Sequence, residues 1–345
     1  MSQADPLAER RAARAARRAE DAVPGEPELP EVVQNVVSAK APVIGRVVST
    51  DVCTASKKAA GFVRHVSIDV GGTPLAGSFI SGQSFGVIPP GENDRGKPHS
   101  LRLYSIASPT AGEDGSGNVL ATTVKRLIDE HWDDHRLYRG VASNYLCDLA
   151  PGDEVRVTGP AGKAFVLPKD PSAHDYVFFA TGTGIAPFRG MIGDLAASGC
   201  RSRVTLVMGA PYATDLLYDE QMRALEAEHD WFAYLPTVSR HGPGASGSHG
   251  GGGWGPAYVD GRVSAEAPGG AGLIELLSGE RTLVYVCGIA GMELGVFKAL
   301  HRELDPAALA SYLRVDDEAG EPDAWTRRMI RRQLRPTKRV FLEVY

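Results

Sequence analysis

The stretch "DYVFFATGTGIAPFRGMIGDLA", residues 175–196, passes from an apolar β-type run through a glycine turn into a helical pattern. A strand, tight turn and helix in that order begin a parallel sheet, and the free amide groups at the helix start suit a phosphate. Gly182 and Gly184 let the backbone pass close to a ligand, and the helix is expected to begin near Pro187. The Lys and Ser/Thr of a P-loop are missing and the spacing is not a full G-x-G-x-x-G, which disfavours ATP hydrolysis. The same rhythm returns in "RVTLVMGAPYATDLLYDEQMRALEA" (203–227) and "TLVYVCGIAGMELGVFKALHREL" (282–304). Residues 169–345 are therefore expected to form an α/β domain whose ligands collect beyond the carboxyl ends of parallel strands.

Upstream the pattern differs. "PVIGRVVSTDVC", "FVRHVSIDV", "GSFISGQSFGVIPPG", "LRLYSIAS", "NVLATTVKRLI" and "DEVRVTGPAG" are short β-type runs separated by Gly, Pro and Asp. They imply a closed antiparallel barrel over residues 41–168, with the boundary near Pro168. Residues 1–40 hold an Ala/Arg-rich start and a Pro-broken segment, expected as a disordered or partly helical arm and linker.

Composition sets outer limits. The chain has 345 residues, 43% of them hydrophobic and 23% charged, which is a globular composition long enough for two domains. A formal charge of −5 argues against nucleic acid as the main partner. No apolar run is long enough for a membrane span, and no secretory core follows the first Met. Cys53, Cys147, Cys200 and Cys287 lie far apart, which excludes a zinc ribbon or ferredoxin-type cluster and fits a cytoplasmic protein with free thiols.

Several residues carry chemistry by type and place. In "TVSRHGPG", Arg240 beside Ser239 offers the donors that a ribose 2′-phosphate needs. In "AYVDGR", Tyr258 offers a flat surface for adenine and Arg262 a second cation. Between them, "HGPGASGSHGGGGWGP" reads as a flexible insertion. In "LRLYSIAS", a strand would put Arg102 and Tyr104 on one face and Ser105 on the other.

Taken in order, "GQSFGVIPPGENDRGKPHSLRLYSIAS", "RGVASNYLCDLAPGDEVRVTGPAGK", "ATGTGIAPFRG", "LLYDE", "VSR", "VYVCGIAGME" and the terminal "EVY" resemble the plant-type ferredoxin–NADP+ reductases, from about residue 41 to the end. The resemblance implies a Greek-key barrel that binds FAD, followed by an α/β domain that binds NADP(H). Arg102 would pair with the FAD pyrophosphate, Tyr104 would stack on the isoalloxazine, and Ser105 would hydrogen-bond near flavin N5. Leu103 belongs to the same strand, and Gly140, Val141, Ala142 and Ser143 would form a second phosphate cradle, with Ser143 as helix cap. Lys125 would face the NADP pyrophosphate, and Thr183, Gly184 and Gly288 would belong to the nucleotide turns. Cys287, Glu343 and Tyr345 would meet the nicotinamide, with Tyr345 covering the second face of the flavin. Electrons would then pass singly to a ferredoxin or flavodoxin docked near Arg327, Arg328, Arg331 and Arg332. Two further readings stay open: an NADPH-dependent reductase serving an oxygenase, of the type acting on benzoyl-CoA, and a non-catalytic flavin or nucleotide module. Where plant enzymes carry an adenine-stacking Tyr after "VKRL", this chain has Ile128 and Asp129, with Trp132 as the nearby ring.

Overall fold

Alternating apolar positions draw the first half into β1 (Val43–Val52), β2 (Val63–Asp69), β3 (Ser84–Ile88), β4 (Arg102–Ser105) and β5 (Val119–Lys125). A hairpin of β6 (Ile128–Glu130) and β7 (Leu137–Arg139), helix α1 (Val141–Asp148) and strand β8 (Glu154–Ala161) follow. The computed structural model describes residues 24–345 except 60, 200–201 and 241–256. The start of the expected arm and the Gly-rich insertion thus lie outside the described residues. The first sheet is antiparallel with order β4-β3-β8-β1-β2-β5. Its two edges meet where Ile106 bridges Thr122 and the Ala107 N–H donates to the Ala121 carbonyl at 2.7 Å, closing a barrel around Val66, Ile68, Phe85, Leu120 and Val157.

The second half supplies β9 (Asp175–Thr181), α2 (Ile185–Ala197), β10 (Val204–Ala210), α3 (Asp219–Glu228) and β11 (Phe232–Val238). Then come α4 (Gly270–Leu277), β12 (Thr282–Gly288), α5 (Met292–Glu303), α6 (Pro306–Ala310), β13 (Leu313–Val315), β14 (Leu334–Pro336) and β15 (Val340–Val344). Five strands pair in parallel in the order β11-β10-β9-β12-β15. Both faces of the sheet are covered, which is why its strands read as unbroken apolar runs. Phe178, Leu206 and Tyr285 pack on one face, Val177, Val207 and Val284 on the other. Strand order reverses between β9 and β12, so the ligand crevice of such a sheet falls there.

One sequence expectation changes. The described part of the supposed arm, residues 24–40, lies against both halves. The Arg339 guanidinium donates to the Pro24 carbonyl at 3.3 Å, the Lys169 N–H donates to Glu28 at 2.8 Å, and the Asn35 N–H donates to Pro160 at 2.7 Å. Proline fixes an extended path there, and the backbone groups find partners on the way. The basic stretch 327–339, where the carrier is expected to dock, follows a path other than one regular element. It makes one 3₁₀ turn over Arg327–Met329 and then strand β14, paired with β13.

Candidate active site

The loops leaving β9 and β12 meet. A Cβ on Gly184 would overlap the backbone carbonyl of Cys287, so only glycine lets the two turns come this close. The Ile289 N–H donates to Thr181 Oγ1 at 2.9 Å, fixing the second turn to the first. The Gly182–Gly184 turn also packs against β5 of the barrel.

Strand β15 adds the chain end to this junction. Its register sets Glu343 beside Cys287 and Val344 beside Gly288. The Tyr345 N–H donates to Gly288 at 3.0 Å, and the Ala290 N–H donates to Tyr345 at 2.9 Å, so the last residue is pinned rather than frayed. The hydroxyls of Tyr345 and Thr183 share a hydrogen bond of 2.5 Å, while the residue stays 63% exposed. Burial raises the Glu343 carboxyl above the ordinary carboxylate range. Burial, and then the neighbouring Glu343, push the Cys287 thiol far up, so it stays a neutral thiol.

The nucleotide end lies along β10 and β11. The Ser239 N–H donates to Ala210 at 3.0 Å and the Arg240 N–H to Pro211 at 2.8 Å, leaving the Arg240 side chain exposed. The Ala257 N–H donates to Val238 at 3.0 Å, which places the exposed Tyr258 next to them. Arg262 departs from expectation. It is 6% exposed, and its guanidinium donates to the carbonyls of Pro268, at 3.1 Å, and Pro236. Those bonds make it a brace for the loop rather than a free cation.

On the barrel, β4 carries Arg102 and Leu103 exposed, with Tyr104 half-buried against the core. Burial pushes the Tyr104 phenol up to about 12, so it remains a neutral ring. Ser105 is half-buried and pairs with Ser84. Among the described residues no carboxylate pairs with Arg102, whose guanidinium reaches only the Leu101 carbonyl at 3.0 Å. The first turn of α1 carries no acid, and Gly140 at its N-cap gives no side-chain cap. Ala142 is buried and Val141 exposed beside it. Ser143 is not the cap expected of it: inside the helix it donates to Gly140 and accepts from the Leu127 N–H, each at 3.2 Å. Lys125 ends β5 with its side chain exposed. Trp132 projects from the hairpin at 92% exposure. The register sets Tyr138 directly opposite Asp129, a placement that only the pairing of β6 with β7 reveals.

Comparison with known proteins settles the family. Residues 178–298 match the model for the oxidoreductase NAD-binding domain. A ferredoxin–NADP reductase of Thermosynechococcus vestitus is 34% identical over 285 residues, covering 81% of this chain and 70% of that one. The Spirulina counterpart is 34% identical over 272 residues, covering 77% and 88%. The chain belongs to the ferredoxin–NADP reductase family. Its fold is likewise that of the solved ferredoxin–NADP+ reductase of Plasmodium falciparum, with a TM-score of 0.64 at 20% identity over 90% of this chain and 99% of that one.

The family binds FAD and NADP(H), and the residues present fit both. Arg102, with no acidic partner among the described residues, and the helix start at Gly140, with no side-chain cap, each offer donors of the kind a pyrophosphate needs. Leu103 and Val141, the neighbours of those two donor groups in the chain, are exposed apolar residues. Arg240 with Ser239 provides a matching donor set for a 2′-phosphate.

Proposed function

We propose that this chain exchanges a hydride with NADP(H) at a bound FAD and passes single electrons to or from a ferredoxin or flavodoxin. FAD supplies the junction between two-electron and one-electron chemistry. The chain supplies binding, orientation and proton control. Arg102 and the start of α1 hold the FAD pyrophosphate, Tyr104 gives the ring a flat wall, and the Ser105 hydroxyl serves the N5 side. Tyr138, with Trp132 at the hairpin tip, provides the ring for FAD adenine that Asp129 does not. Arg240 and Ser239 hold the 2′-phosphate, Tyr258 stacks on the NADP adenine, and Lys125 and the Thr183–Gly184 turn receive the pyrophosphate. Tyr345 covers the open flavin face and yields to nicotinamide, the Cys287 thiol lines that pocket uncharged, and Glu343 holds a proton more tightly than an exposed carboxylate would. The observation that carries this reading is the register of β15, which gathers Cys287, Glu343 and Tyr345 beside the dinucleotide turn.

The partner surface is read from charge. Arg327 is already engaged by the buried Glu293 at 2.7 Å, which leaves Arg328, Arg331 and Arg332 to attract an acidic carrier. A groove of about 840 Å³ runs from Arg328 and Arg331 to Glu343. Sheet membership supports a change of domain near Pro168, because β8 ends at Ala161 and β9 begins at Asp175. Among the described residues no helix is long and apolar enough to cross a membrane, and the free buried thiols Cys53, Cys147 and Cys287 are compatible with a cytoplasmic location. The test is NADPH-supported reduction of a plant-type ferredoxin, followed through cytochrome c. The rate is expected to fall with salt and with Gln at positions 328, 331 and 332. A protein that reduces neither ferredoxin nor flavodoxin would contradict the reading.

A further inference from the structure

The two halves of the site sit on different sheets, and one polar cluster joins them. Arg189 lies one turn beyond the start of α2, the helix that the dinucleotide turn opens. Its guanidinium donates to both carboxylate oxygens of Glu113, at 2.5 and 3.1 Å, to the Ala107 carbonyl at 3.0 Å and to Gln221 Oε1 at 3.1 Å. The two side chains are 14% and 22% exposed. Ala107 and Glu113 both belong to the segment that leaves β4, the strand bearing Arg102, Tyr104 and Ser105. The bidentate pair therefore connects flavin strand to dinucleotide helix by a short path through the chain.

The surroundings make that connection stiff. Behind Glu113, His65 approaches at 3.6 Å and holds the Tyr218 hydroxyl at 2.9 Å, while that hydroxyl also meets Thr123 at 2.5 Å. The Arg189 guanidinium stands over the Tyr218 ring, 5.3 Å from its centre. Beside the pair, a Cβ on Gly190 would overlap the Ser108 carbonyl, so α2 rests directly on barrel backbone. Asp194, on the same helix, accepts from the Thr110 N–H at 2.8 Å and from its hydroxyl at 2.6 Å. Thr54 bridges Leu217 on the far side of the seam. Packed cores of this kind transmit displacement instead of absorbing it.

We infer that Arg189 and Glu113 are positioning residues for hydride transfer: their bidentate pair fixes the angle at which the nucleotide-binding sheet presents its ligand to the barrel. The inference rests on the proposed function. A bidentate guanidinium sets orientation as well as distance, which a point charge does not. Each cofactor's main anchors lie within one half, Arg102 in the barrel and Arg240 in the sheet, so losing the pair should spare separate binding and impair the step that needs both. Positional errors near 1 Å are enough to slow such a step about a hundredfold.

The experiment uses the full chain with FAD. In Arg189→Leu, FAD content and affinity for 2′-phospho-AMP are expected to stay within about twofold of wild type, while anaerobic flavin reduction by NADPH slows at least about tenfold. Arg189→Lys should recover part of that loss, since it keeps the charge without the fork. Glu113→Gln added to Arg189→Leu should cause little further loss, because the pair acts as a unit. Equal losses in FAD content, nucleotide affinity and reduction rate would overturn the inference by showing a merely structural role, as would an unchanged reduction rate. A wild-type protein whose flavin NADPH does not reduce would instead defeat the functional reading beneath it.

Discussion

The wall proposed for nicotinamide and the strand proposed for flavin are built in opposite ways. The wall, where β9, β12 and β15 end, is specified by what has been removed: Gly184 has no Cβ to strike Cys287, and backbone bonds pin Tyr345. The flavin strand is specified by what its side chains offer. Arg102 and Leu103 stand exposed on β4, and Arg102 has no acidic partner among the described residues. One region is closed by its own backbone, and the other leaves an exposed guanidinium with no acidic partner among the described residues. Substitutions should therefore break the fold at the wall and break binding at the strand.

The largest effect is expected at the wall. Gly184→Ala forces a side chain into the Cys287 carbonyl, where only backbone movement can relieve it, at a cost of about 3 kcal/mol or more. A thermal melt of the FAD-depleted protein should show a fall of many degrees, and an unchanged melt would break the contrast. At the strand, Arg102→Ala should lower FAD affinity roughly a hundredfold, about 2.8 kcal/mol and near the top of what charge-assisted bonds supply, and leave the melt of the FAD-depleted protein nearly unmoved. Measuring FAD content after gel filtration checks it.

A smaller effect sharpens the contrast within the sheet. Arg240→Ala should raise the NADPH KM roughly 10- to 100-fold and leave NADH almost unaffected, because only NADPH carries the 2′-phosphate. Steady-state kinetics with both nucleotides decides it, and equal losses would remove Arg240 from that role. The mildest effect lies in the seam between the two halves. Burial, and then the nearby Arg189, push the His65 imidazole down from its ordinary 6.5 to about 4. Between those values the unfolded chain takes up a proton that the folded chain refuses. The stability tied to a neutral His65 is therefore whole above pH 6.5 and is lost as pH falls toward 4. His65→Gln should flatten denaturation midpoints measured across that range.

Much of this was legible in the residues, for physical reasons that differ by region. Strand–turn–helix rhythm exposed the parallel sheet because buried strands must be apolar throughout, and "TGTG" marked its crevice because close backbone contact requires glycine. Arg262 was misjudged because a guanidinium bonded to buried carbonyls and one awaiting a phosphate look alike in sequence. Ser143 was misplaced by three residues from the cap, since helix starts are set by backbone geometry that side chains only partly announce. Tyr138 needed the hairpin register, and Arg189 with Glu113 needed the docking of two sheets, a pairing over 76 positions that no local pattern encodes. The ordering of residues 24–40 likewise depends on partners as distant as Arg339.

The central claim is that barrel and sheet make one site in which NADPH delivers hydride to a flavin. Its most direct test is the visible spectrum of the purified protein under nitrogen, before and after one equivalent of NADPH. A yellow protein whose flavin absorbance bleaches on addition is the predicted result. A protein that takes up no FAD, or whose flavin keeps its oxidised spectrum with NADPH present, would contradict it.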